Sequence, residues 1–132
     1  MIRRRNIEEG HRPAFVIQDY QAATIADKVI GIAPVKCELV AVKEVHGTAG
    51  SDGSAVSAAV ERLQGTETSG NGDQVATGIN LKGTANTVQS GTLTTTASSL
   101  VFAAGDRVGI NVTGTTTAVA TMNVVCYFRP ID

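Results

Sequence analysis

From Ala118 to Phe128 the chain alternates strictly. Ala118, Ala120, Met122, Val124, Cys126 and Phe128 are interleaved with Val119, Thr121, Asn123, Val125 and Tyr127. A period of two sends successive side chains to opposite faces of a strand. The pattern therefore predicts a long terminal strand whose core face is Ala120, Met122, Val124, Cys126 and Phe128, with a mixed set that includes Val119 and Tyr127 opposite. Upstream, Val108, Ile110 and Val112 alternate with Arg107, Gly109, Asn111 and Thr113, and the link Thr113–Thr117 contains Gly114, which tolerates a positive φ. These two strands are expected to pair as an antiparallel hairpin. A hairpin buries too little to stand alone in water, so the rest of the chain has to supply a second layer.

The preceding segments read as further strands. Phe15–Tyr20 and Lys28–Ala33 are short apolar runs, the second ended by Pro34, which cannot donate to a ladder. Cys37–His46 contains the continuous run Leu39–Val42, as expected of a strand covered on both faces. In Val56–Gln64 helical spacing competes with strand, and the flanking serines and glycines favour strand. Gln74–Lys82 and Asn86–Thr96 bring the total to about eight. Gly47–Ser54 and Gly65–Asp73 have pure loop composition, and the second is expected to project from one rim. Val45-His-Gly-Thr48, Leu63-Gln-Gly-Thr66 and Leu81-Lys-Gly-Thr84 repeat an apolar-polar-Gly-Thr pattern at a constant offset. Their flanks do not repeat, so the pattern is a recurring strand end and not a duplicated unit. The predicted fold is all-β: a two-sheet antiparallel sandwich, jelly-roll-like, in one domain. Residues 1–20 form an extended N-terminal arm and first short strand, and residues 21–132 the sandwich.

Composition changes this picture in two places. With 4% aromatic residues and no Trp, the core has to be aliphatic. This also weakens an immunoglobulin-like alternative, which places a Trp in mid-chain. Charge is unevenly spread: residues 74–131 contain only Lys82, Asp106, Arg107 and Arg129. A surface so poor in charge is expected to pack against copies of itself or a large partner. The net charge of −1 does not favour direct nucleic-acid binding.

The first thirteen residues lack periodicity and carry Arg3, Arg4, Arg5 and Arg12 among Glu8, Glu9 and His11. Such an arm is expected to order only against a partner, its three consecutive arginines gripping phosphate or an acidic protein surface through charge-assisted contacts. No apolar run follows the arginines and none reaches the length of a membrane span, so the expectation is synthesis in a cytoplasm without membrane association.

Candidate chemistry is sparse. His11 and His46 have no ligand-spaced partners, Gly47–Gly53 lacks the Lys-Ser or Lys-Thr of a phosphate loop, and no nucleophile elbow is present. Asp52 and Asp73 lie far apart among neutral residues, and Asn111-Val-Thr113 falls inside a predicted strand. The expectation is a non-enzyme with no catalytic residue, metal site or cofactor. Cys37 and Cys126 are expected as two buried thiols.

The run CELVAVKEVHGTAGSDGSAV, the segment INLKGTANTVQSGTLTTTASSLVFAAGDRVGINVTGT and the closing strands resemble small structural proteins of tailed bacteriophages, among them the cement or decoration proteins of the head. The resemblance spans about residues 37 to 129, with AAGDRVGI its most distinctive piece, and brings no binding motif with it. It implies a virion protein on the capsid exterior. Such a protein assembles as a homodimer or homotrimer and bridges subunits of the major capsid protein, with a terminal arm on the shell. The alternative is a receptor- or carbohydrate-binding domain of a tail or head fibre, with loops 47–54 and 65–73 as its contact surface.

Overall fold

A computed structural model describes residues 14–132. The strands in chain order are β1 (Phe15–Gln21), β2 (Lys28–Ile32), β3 (Cys37–Val45), β4 (Ser57–Leu63), β5 (Asp73–Asn80), β6 (Gln89–Ser90), β7 (Thr92–Leu93), β8 (Val101–Phe102), β9 (Arg107–Thr113) and β10 (Met122–Pro130). They form two antiparallel sheets. Sheet A has the order β1-β10-β3-β6, with β8 also on β3, and sheet B has the order β2-β9-β4-β5-β7. The pairs are nested: β1 lies on β10, β2 on β9, β3 on β6 and β8, and β4 on β5. This is an antiparallel ribbon rolled across two layers, the jelly-roll wrap. β1 pairs with β10 along its whole length, so the sandwich takes in the chain from Phe15 onward.

The core lies between the sheets and is mainly aliphatic, as composition required. Met122, Val124, Cys126 and Phe128 of β10 are buried against Val108 and Ile110 of β9, Val60 of β4 and Ile79 of β5. At one end Phe128 stacks on Phe15, with centroids 5.5 Å apart, and meets Phe102 edge-on at 5.2 Å. These three rings close that end of the sandwich. Val56–Gln64, the segment open to two readings, is strand from Ser57 to Leu63. The three Gly-Thr repeats follow the ends of β3, β4 and β5. Cys37 and Cys126 are both buried and free; Cys37 lies opposite Pro130, whereas Cys126 lies opposite Val42.

Three expectations are corrected. β9 and β10 do not form a hairpin: β2 and β4 occupy both edges of β9, and β1 and β3 both edges of β10. The link between them crosses from sheet B to sheet A, helped by Gly114 at φ 92°, where a Cβ would collide with the Ala55 carbonyl. The terminal strand begins at Met122. Ala120 is therefore not in its core face but makes an isolated bridge to Thr48, and Thr121, at φ 53°, breaks the alternation. Val119, expected on the open face, is buried in the core. Asn86–Thr96 is also not one strand, because β6 joins sheet A and β7 joins sheet B on either side of Gly91.

Candidate functional site

The outer faces of the two sheets differ. On sheet B, Ala59, Glu61 and Leu63 of β4 point away from the core yet are buried. Residues 64–72 fold back over them. The Ser69 hydroxyl donates to the Ile110 carbonyl at 2.9 Å and the Gly70 amide donates to Glu61 Oε1 at 2.7 Å. Gly109 leaves room for this cover, since a Cβ there would fall 2.8 Å from Leu63 Cδ1 and 3.3 Å from Ser69 Oγ. The loop expected to project from a rim is therefore tied down. Of the loop acids considered from sequence, Asp73 pairs with Arg62 at 2.8 Å. Asn111 reaches Glu61 Oε2 at 3.5 Å and is partly buried.

Sheet A has no such cover among the described residues. Its outer face is set by the same pleat that buries Met122, Val124, Cys126 and Phe128: Asn123, Val125, Tyr127 and Arg129 of β10 must point outward. β1 places Val16 opposite Tyr127, Gln18 opposite Val125 and Tyr20 opposite Asn123. β3 places Ala41 opposite Tyr127, Lys43 opposite Val125 and Val45 opposite Asn123. The result is a mainly apolar field across three paired strands, crossed by the polar row Gln18 and Lys43 on either side of Val125, in which Val16 is 45%, Tyr20 52% and, beside β6, Val88 65% exposed. A groove of about 280 Å³ runs along it, lined by Val88, Val45, Val125 and Tyr127 together with Lys43 and Asn123. The charged groups of the face, Glu38 and Arg129 at one end and Lys43 beside Val125, are satisfied. Arg129 donates to Glu38 Oε1 through Nε at 2.9 Å and Nη2 at 2.7 Å, and Lys43 Nζ donates to Ser90 Oγ at 2.7 Å.

A second cluster lies inside the sandwich. Glu44 and His46, both fully buried, meet through Oε2 and Nδ1 at 2.8 Å, and His46 Nε2 donates to the Gly83 carbonyl at 2.9 Å. Gln89 Nε2 donates to the other Glu44 oxygen at 2.7 Å and to the Asn80 carbonyl at 2.8 Å, while its own oxygen accepts the Asn80 amide at 3.0 Å. Every ring nitrogen and carboxylate oxygen is engaged, so this network ties β3 to the loop after β5 and to β6. Among the described residues no three His, Cys, Asp or Glu converge to hold a metal ion. Burial pushes the Cys126 thiol up to about 12, and burial followed by the Asp106 carboxylate raises that of Cys37.

The docking residues expected from sequence, Arg3, Arg4, Arg5 and Arg12, lie outside the described residues. The sheet A face was present in the sequence as the mixed side of the last strand. Its Val125 and Tyr127 carried the signal, but recognising an open field required knowing that Val16, Tyr20 and Ala41 stand beside them. Scans of family models, of curated proteins and of solved structures each return no match for the chain.

Proposed function

We propose that the chain is a bacteriophage virion protein that decorates and stabilises the capsid exterior by bridging subunits of the major capsid protein as a homo-oligomer. The observation that carries this reading is the uncovered apolar face of sheet A, bordered by paired charges on a domain whose other outer face is closed by its own loop. Contiguous apolar surface of this kind marks an assembly site more often than a catalytic one. The charge-poor stretch 74–131 and the resemblance of residues 37 to 129 to small structural proteins of tailed bacteriophages support the same reading. Many identical weak contacts on a shell sum to a large stabilisation, so each need only be modest. The arm supplies the polar half of attachment, with Arg3, Arg4 and Arg5 pairing to carboxylates of the shell.

The fibre-tip alternative has less support. Residues 64–72 are hydrogen-bonded onto sheet B, and neither loop carries an aromatic ring on which a sugar could stack. The test is binding of purified chain to undecorated heads, with localisation in a virion reconstruction. Density for a jelly roll over capsid subunit joints is expected, and a chain absent from the head surface would end the proposal.

A further inference from the structure

We infer that the outer face of sheet A is the contact between two copies of this chain, which meet face to face across a two-fold axis to form a dimer. The inference rests on the assembly reading above and deepens it by naming the partner and the residues. Three observations select a second copy as the occupant.

The first is charge. Val125 stands in the middle of the face between Gln18 and Lys43, with Val16, Tyr127 and Val45 around it, and the paired Glu38 and Arg129 lie at one end. A two-fold contact sets a surface against itself. A strongly charged face would repel its copy, whereas this one brings a single cation without a carboxylate partner, Lys43, whose ammonium is drawn toward β6 by Ser90 Oγ at 2.7 Å. The second is the chemistry of the alternative occupant within the chain. The segment 1–13 holds Arg3, Arg4, Arg5, Glu8, Glu9 and Arg12, with only Met1, Ile2 and Ile7 as large apolar side chains. Laying it on Val125 and Tyr127 would desolvate its charges on a face whose one carboxylate, Glu38, already holds Arg129. The third is size. Strands of seven to nine residues in β1, β10 and β3, with β6 beside them, give a field of about 500 Å² at a rise of ~3.3 Å and a spacing of ~4.8 Å. Two such faces bury about 1,000 Å², which is at the threshold for a specific contact and fits a reversible dimer. Sheets pack this way at about 30°, with side chains interdigitating across ~10 Å. The groove beside Val88 then receives a side chain of the other copy.

Sedimentation velocity of the full chain over a concentration series tests this. A monomer–dimer equilibrium is expected. Val125→Lys should raise the dissociation constant at least about a hundredfold, because the contact would then desolvate two unpaired ammonium groups. Val125 is half buried, so the more exposed pair Tyr20→Lys and Val88→Lys serves as a second variant that leaves the core untouched. Ile32→Lys, on β2 in the other sheet, and the triple change of Arg3, Arg4 and Arg5 to Glu should leave the equilibrium unchanged. A parent chain that stays monomeric, a dimer that survives both face variants, or a dimer lost in the Ile32 or the arm variant each overturns the inference. Head binding, measured separately, distinguishes the two proposals. A monomer that still binds heads removes the dimer and leaves the decoration role, and a dimer that does not bind heads removes the role and leaves the dimer.

Discussion

The buried Glu44–His46 pair is the residue where the fold accepts the greatest local cost. Two ionisable groups without solvent are tolerated only if every polar atom finds a partner, and here Gln89, Gly83 and the pair itself supply them. Glu44→Ala would leave His46 Nδ1 unpaired in the core and take one of its two acceptors from the Gln89 Nε2 group, and should cost about 3–5 kcal/mol. Glu44→Gln preserves an acceptor for Gln89 and a donor for Nδ1, so its loss should be well under half of that. Urea denaturation of the two variants checks the ordering, and equal losses would show that packing and not hydrogen bonding holds this end together. The thiols give a second prediction. Cys126 is pushed up to about 12 and Cys37 is raised in the same direction, so the fold holds the neutral form. Well below pH ~8 the thiols are protonated in both folded and unfolded chains and add no pH dependence. As pH rises through about 8.5 the unfolded chain loses its protons first, so stability should fall toward pH 12 on account of Cys126, by up to ~1.4 kcal/mol per unit, with Cys37 acting in the same direction. Denaturation at pH 8, 9 and 10 measures this slope, and replacing Cys126 by Ala should flatten it.

At the scale of elements, β9 and the body of β10 were legible because period-two alternation survives where one face is buried, as at Ile110 and Val124. β3 was legible instead from the continuous run Leu39–Val42, and β4 from the serines and glycines that flank it, since its own spacing also fits a helix. What periodicity could not supply was partnership. Val108 and Val124 look like neighbours in sequence, but whether their strands pair depends on β1, β2, β3 and β4 taking all four edges first. The start of β10 was misread for a local reason: Ala118, Val119 and Ala120 continue the alternation on paper, while Thr121 at φ 53° inverts the facing of everything before it. Val119 therefore packs in the core, and Val119→Asp should prevent soluble folding, since an unpaired buried charge costs several kcal/mol against a total of about 5–15. The cover on sheet B was also hidden, because it depends on Gly109, an apparent weak point inside a strand. Gly109→Val would displace Leu63 and Ser69 and should free the loop. Faster hydrogen exchange at the Gly70 amide, with the core amides of β10 unchanged, is the expected signature.

For the whole molecule, the difference between the two outer faces organises function. A rolled ribbon exposes two broad sheet faces; residues 64–72 cover one, and among the described residues nothing covers the other, which is mainly apolar. The densest run of charge lies elsewhere, in the first thirteen residues, with Arg3, Arg4, Arg5, Glu8, Glu9 and Arg12. On the two proposals above, self-association and attachment to a shell rest on different physics, and salt should separate them. A contact between Val16, Val125 and Tyr127 and their copies gains from removing apolar area from water, so an excluded salt such as sulfate should strengthen it. A contact made by Arg3, Arg4 and Arg5 with carboxylates is screened, because the Debye length falls from ~10 Å at 0.1 M to ~3 Å at 1 M. Raising sodium sulfate should therefore tighten the dimer in sedimentation while releasing chain from heads in a co-pelleting assay. Head binding by the variant with Glu at positions 3, 4 and 5 should already be low and nearly indifferent to salt. If both processes weakened together as salt rose, the face would be held by charge and not by apolar burial. If neither moved on the heads, attachment would run through the sheet face itself, and the arm would have no part in docking.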